Sequence, residues 1–219
     1  ATKAASSGFE TWRDHARAVE RAAEQKDHSL GLGILRNHGT DPMVSRAGLI
    51  ALVSLWRSQS RQYDFCEERG IEALLTAASR HSSKDAELAK AFCDAITTLA
   101  APYDPRICQM MRALGVASEV MSCMGLQSSD TRVLESACTA LYTIIGGTEL
   151  SRCAVASLGG PVKVFRALSR NLSSWQDIPL TQAALRFFRQ FAWQNSANAM
   201  QLMNLSVIDA VNRTAEVFT

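Results

Sequence analysis

Five of the six cysteines, Cys93, Cys108, Cys123, Cys138 and Cys153, stand 15 residues apart, with Cys66 outside the series. Regularly placed thiols invite a metal or disulfide reading, but the partners either chemistry needs are missing. There is no C-x-x-C pair and no His beside a Cys, so a zinc site is not predicted. Single dispersed thiols fit small buried residues in a reducing compartment rather than a disulfide framework. Cys93 and Cys138 are then equivalents in a repeat, as are Cys108 and Cys153. The histidines His15, His28, His38 and His81 lie in separate segments, none beside a nucleophile or carboxylate in a recognisable motif. No Gly-rich phosphate loop and no G-x-S-x-G elbow is present, and Gly31-Leu32-Gly33 lacks the strand a dinucleotide site requires. The reading is a protein without catalytic residues, metal or cofactor. The sequons at Asn171, Asn204 and Asn212 fall in or beside expected helices and read as chance.

If the spacing is not chemistry, it belongs to the scaffold. The skeleton around Ser54, Thr98, Thr143 and Gln190 recurs at intervals of 44, 45 and 47 residues: Ala51-Leu52-Val53-Ser54-Leu55, Ala95-Ile96-Thr97-Thr98-Leu99, Ala140-Leu141-Tyr142-Thr143-Ile144, and the bulkier Phe187-Phe188-Arg189-Gln190-Phe191. Glycine-marked junctions precede the later copies at Arg69-Gly70-Ile71, Leu114-Gly115-Val116 and Gly159-Gly160-Pro161-Val162. A fixed period near 45 is the mark of stacked units that bury their apolar faces only against neighbours.

Each unit resolves into three helices. The first unit reads 9–25, a short helix capped at Asp27 or Ser29 and stopped by Asn37-His38-Gly39, then Asp41-Pro42 opening a longer one to Ser58. The second reads 61–69, 70–81 and 83–100. The third opens at Asp104-Pro105, Gly115, and Ser129 or Asp130, ending near Gly146-Gly147. The fourth reads 149–158, 161–171 and 177–194, with Pro179 in the first turn of its last helix. Segments 195–205 and 207–218 form an incomplete fifth, which leaves the flank of Val207, Ile208, Val211 and Val217 uncovered. The units are thus 9–60, 61–103, 104–148, 149–194 and a partial 195–219, one repeat domain after a small polar tail at 1–8. That tail has no secretory apolar core and no initiating Met, so a trimmed or processed start is expected.

Composition sets outer limits. With 47% hydrophobic and 20% charged residues over 219 positions, the chain can bury an extended core. A net charge of +2, from 23 basic and 21 acidic residues without like-charge blocks, disfavours a nucleic-acid partner. No apolar run approaches the roughly 20 residues of a membrane span.

The unit resembles the armadillo repeat. Gly70-Ile71-Glu72-Ala73-Leu74-Leu75, Gly115-Val116-Ala117-Ser118-Glu119-Val120-Met121 and Gly160-Pro161-Val162-Lys163-Val164-Phe165 look like the glycine-opened second helix. The run Asp130 to Ile145 looks like the third. Two-helix HEAT units are the competing assignment. The resemblance implies an all-α, right-handed α-solenoid of about four three-helix repeats plus a partial fifth, whose third helices line a concave groove for proteins or extended peptides. Carried over residue by residue, the groove comprises Arg46, Lys90, Glu135 and Gln182; Ile50, Asp94, Thr139 and Arg186; Ser54, Thr98, Thr143 and Gln190; and Arg57, Ala101, Gly146 and Trp193. Nuclear-import receptors of this fold carry Trp in the second of these layers and Asn in the third. Every rung differs here, and a hydroxyl cannot clamp a backbone N–H and C=O as an amide does, so import cargo is not expected. Trp193 is either wedged between units or an exposed anchor, and Trp12, Trp56 and Trp175 are equally open.

The expected function is a non-enzymatic scaffold that binds a protein or peptide through its groove or open C-terminal end. An accessory subunit of a large assembly, in an organelle, is the alternative, and a nucleic-acid-binding solenoid stands third. The expected compartment is intracellular and reducing, the cytoplasm first and an organelle second.

Overall fold

One local device recurs through the fold: a backbone turn through a single left-handed residue between a short helix and the next. It occurs at Arg69, Gly115, Gly159 and Ser206, with φ of 60°, 72°, 73° and 54°. These residues stand 46, 44 and 47 positions apart. At each, the turn residue's N–H donates to the carbonyl three residues earlier, on Cys66, Arg112, Ala156 and Met203, at 2.9–3.2 Å. Such turns satisfy helix-end carbonyls that would otherwise be orphaned. Four residues before each turn lies a buried apolar side chain: Phe65, Met111, Val155 and Leu202. The left-handed turn and the buried side chain before it thus share one arrangement at these four places.

The structure is a computed structural model that describes residues 28–58, 62–101, 103–171 and 178–207. The expected helix at 9–25, the segment 208–218, Trp12, Trp175 and the Arg57 side chain lie outside the described residues. Among those described, twelve α-helices and no strands are found. They are α1 His28–His38, α2 Pro42–Ser58, α3 Gln62–Glu67, α4 Gly70–His81, α5 Ala86–Ala100, α6 Pro105–Ala113, α7 Val116–Leu126, α8 Thr131–Gly147, α9 Glu149–Ser157, α10 Gly160–Asn171, α11 Ile178–Ala192 and α12 Ser196–Asn204. By its internal contacts the chain divides into two compact units, Ala1–Leu99 and Ala100–Thr219.

Side-chain caps start six of the described helices, from Asp in four, Thr in one and Asn in one. Asp41 accepts from the Met43 N–H at 2.8 Å, Asp85 from Leu88 at 2.9 Å and Asp130 from Arg132 at 3.0 Å. These three stand 44 and 45 residues apart, one ahead of each of α2, α5 and α8. Because Asp85 takes this role, α5 begins at Ala86 and not at the expected Ser83. The shorter α6, α9 and α12 are capped by Asp104, Thr148 and Asn195. The Asp130 carboxyl is held below its ordinary pKa by the side chain of Arg132, helped by the backbone N–H groups of Val133 and Arg132. A depressed folded-state pKa gives stability that is present above about pH 4 and lost as pH falls through the folded value. Asp130→Ala should cost about 1 kcal/mol near neutrality. In urea titrations from pH 6 down to pH 2, the gap between wild type and variant should narrow.

In the second unit, α6, α7 and α8 form one triplet and α9, α10 and α11 the next. Like packs on like: α6 against α9, α7 against α10 and α8 against α11. The buried residues of α11 show why it seats well, since Leu180, Ala183, Ala184, Phe187, Phe188 and Phe191 follow one helical face. Phe187 stacks on Phe191 at 5.8 Å and meets Phe188 edge-on at 5.7 Å. In the first unit, α1 packs on α2, α3 and α4, and α4 also touches α2 and α3. Trp56 is core there, edge-on to Phe65 at 4.7 Å. His81 Nε2 lies 2.8 Å from the Gly39 carbonyl, tying the ends of α4 and α1. Val207, expected on an uncovered flank, is buried.

The cysteine series divides. Cys66, Cys93, Cys108, Cys123 and Cys138 are buried, but Cys153 is exposed. The expected equivalence of Cys108 and Cys153 fails because the caps of α6 and α9, Asp104 and Thr148, are 44 residues apart. Cys108 thus corresponds to Arg152, and one residue of slip turns a helical side chain by about 100°. Burial pushes the Cys138 thiol up to about 12. Iodoacetamide should therefore label Cys153 in the native protein and reach Cys138 only on unfolding, which peptide mass mapping reads directly.

Candidate interaction surface

The long helices turn one face inward and leave a row of mixed side chains outward. In the first unit, Ile50 and Ser54 of α2 and Lys90 and Asp94 of α5 line one cleft of about 210 Å³ together with Val53, Glu87 and Ala91. Ile50 is 54% exposed, an apolar side chain left at the mouth of a charged cleft. Lys90 Nζ donates to Asp94 Oδ2 at 2.6 Å, a pair one helical turn apart. Partly open to solvent, that pair adds little stability and fixes the orientation of two opposite charges on the cleft wall. Arg46, half-buried, turns along its own helix toward Met43 Sδ at 3.4 Å.

The second unit contributes Glu135 and Thr139 from α8, half-buried, with Gln182 and Arg186 from α11, exposed, and half-buried Gln190. Thr143 departs from expectation. It is 4% exposed, closed in by the packing of α8 on α11. The hydroxyls of this row share a second feature. Ser54, Thr98, Thr139 and Thr143 each donate to the carbonyl four residues earlier, on Ile50, Asp94, Glu135 and Thr139, at 2.9–3.1 Å. Such back-bonding commits the hydroxyl proton to the helix, so these side chains keep only acceptor capacity toward a ligand. At the end of α8, the ring of Tyr103 covers Gly146, where an added Cβ would come within 2.6 Å of the ring.

Trp193 resolves in favour of exposure, at 57%. Its backbone is nevertheless fixed. Arg152 Nη1 donates to the Trp193 carbonyl at 2.7 Å while its other terminal nitrogen pairs with Glu149. Asn195 Nδ2 donates to Glu149 Oε1 at 2.9 Å, and Asn198 Nδ2 to the Phe191 carbonyl at 3.0 Å. The indole thus stands out from a turn clamped by α9 and α12. Met200 and Met203 on α12 are also exposed.

No group of three His, Cys, Asp or Glu side chains among the described residues is placed to hold a metal ion. No helix among them is long and apolar enough to cross a membrane.

No protein-family model and no curated protein matches the chain. The crystal structure of an engineered protein, a target of the Northeast Structural Genomics Consortium, is similar with a TM-score of 0.70. The match covers 93% of this chain and 81% of that one, at 16% identity. The likeness is one of fold alone.

Proposed function

We propose that the protein is a non-enzymatic interaction scaffold of the armadillo-like α-solenoid type, which holds a protein or peptide partner along the outward row of its long helices. The recurrent left-handed junctions and the like-on-like packing of the second unit support the solenoid part of this reading. The observation that carries the binding part is Trp193, a large aromatic side chain held outward on a hydrogen-bonded turn. Tryptophan is enriched among residues that dominate interface energies, and a fixed backbone lowers the entropy lost on docking. Ile50 offers the corresponding apolar contact in the first unit. Lys90, Asp94 and Arg186 supply charges that select the partner rather than fix its affinity.

Trp193→Ala should leave the stability of the free protein within about 0.5 kcal/mol, since the side chain is mostly solvated. It should weaken the partner complex by about 2 kcal/mol or more, some thirtyfold in Kd. Affinity capture from the native cell, followed by titration of the captured protein against wild type and variant, makes the comparison. A stable monomer that retains no partner would count against the reading.

A further inference from the structure

The second unit carries another cleft, on a different row of helices. It lies between α7 and α10, beside the start of α8, and encloses about 170 Å³. Its floor is apolar, made by the buried side chains of Met124, Leu134 and Ala167. Its wall on α10 carries Lys163, Arg166 and Arg170, all exposed. No carboxylate lines it, and none of the three cations makes an ion pair among the described residues. The first unit has a cleft in the same register, between α1 and α4, where Arg80 stands as far beyond the left-handed Arg69 as Arg170 stands beyond Gly159. There the neighbouring cations are engaged, Arg36 with the Glu68 carbonyl and Arg69 with Glu72 at 3.2 Å. Among the described residues, the positive charge of the second unit's cleft is uncompensated.

Shape and spacing narrow the ligand. Lys163, Arg166 and Arg170 run for about 10 Å along the helix, so the cations form a strip rather than a point. Three to four residues of extended chain cover that length at about 3.4 Å each, with alternate side chains facing opposite ways. One face can meet the cations while the other seats a side chain on the floor; a cavity of roughly 150 Å³ accepts a benzene ring. The cationic strip is a single helix wide, because α7 contains no Lys or Arg, which suits a peptide better than a nucleic-acid backbone. We infer that this cleft docks an extended acidic segment of a protein partner, with one apolar side chain of that segment held between α7 and α10. It uses other residues than the proposed groove, so either can fail without the other.

The test selects a displayed library of random dodecapeptides on the full chain and counter-selects on the Lys163→Gln/Arg166→Gln/Arg170→Gln variant. Recovered peptides, fluorescein-labelled, are then titrated by anisotropy beside an oligothymidylate. The expected result is a set of peptides with several Asp or Glu around a Leu, Ile or Phe. They should bind wild type about tenfold or more tightly than the variant, with affinity falling as salt rises. All three replacements are exposed, so thermal melts of the variant should overlay the wild type, and Arg166→Gln alone should show an intermediate loss. The inference is overturned if the selection returns nothing, if the peptides lack acidic residues or bind both proteins alike, or if the oligothymidylate displaces them through the same cations.

Discussion

Replacing Phe187 with alanine should lower the unfolding free energy by about 4 kcal/mol, the middle of the range for a buried aromatic ring. The ring is fully buried on the face of α11 that packs against α8, and it touches Phe188 and Phe191. In the repeat register it stands where α8 has Ala140, α5 has Ala95 and α2 has Ala51. The space around it is built for a ring, and a methyl group leaves a cavity that Phe188 and Phe191 cannot both collapse into. Against the 5–15 kcal/mol typical of a whole domain, this loss approaches unfolding at body temperature. Urea denaturation followed by circular dichroism reads it. A loss under about 1 kcal/mol would show that α11 is not seated as described.

The second large effect is expected at Gly70. A Cβ there would overlap three atoms of the Phe65 ring, which is itself fully buried and cannot swing aside. Gly70→Ala should cost about 3 kcal/mol as overpacking. Two other glycines calibrate the claim. Gly115 has φ of +72° and open space around its missing Cβ, so Gly115→Ala should cost only the left-handed penalty of about 1 kcal/mol. Gly33 lies within α1 with nothing near its Cβ direction, and Gly33→Ala should stabilise by about 0.7 kcal/mol through helix propensity. Equal effects at all three would refute the assignment of Gly70 to close packing. Chemical denaturation of the three variants in parallel settles the order.

The contrast among these glycines shows what was legible beforehand. Gly70, Gly115 and Gly160 marked the helix junctions because glycine punctuates helices for steric reasons. Sequence did not separate the glycines needing left-handed backbone, Gly115 and Gly159, from those pressed by a neighbour, Gly70 and Gly160. That difference depends on which side chain lies across the turn. Arg69 and Ser206 adopt the left-handed turn although neither is a glycine. Caps were readable where Asp preceded Pro, at Asp41 and Asp104, and not at Asp85, which lacks that neighbour.

The outward row was legible in phase but not in detail. Ile50 and Arg186 stand outward because helical period fixes their direction, whereas Trp193 stands on the turn that follows α11. Thr143, in the same phase, is closed over by α11, a consequence of packing that no single-helix pattern contains. The even spacing of the cysteines misled at Cys153, where a unit of 44 residues rather than 45 rotates the side chain into solvent. The cationic face of α10, Lys163, Arg166 and Arg170, was not singled out by a sequence whose charges are scattered. Only the packing of α7 against α10 turns it into a cleft.

Site-specific photo-crosslinking tests the scaffold reading most directly. A benzophenone side chain is placed in turn at Asp94 and Arg186, on the outward row, and at Gln109, an exposed residue of α6. Each variant is irradiated in its native cell. The account predicts adducts with one and the same protein from Asp94 and Arg186 and none from Gln109. Adducts of equal yield from all three positions, or none from the row, would contradict it.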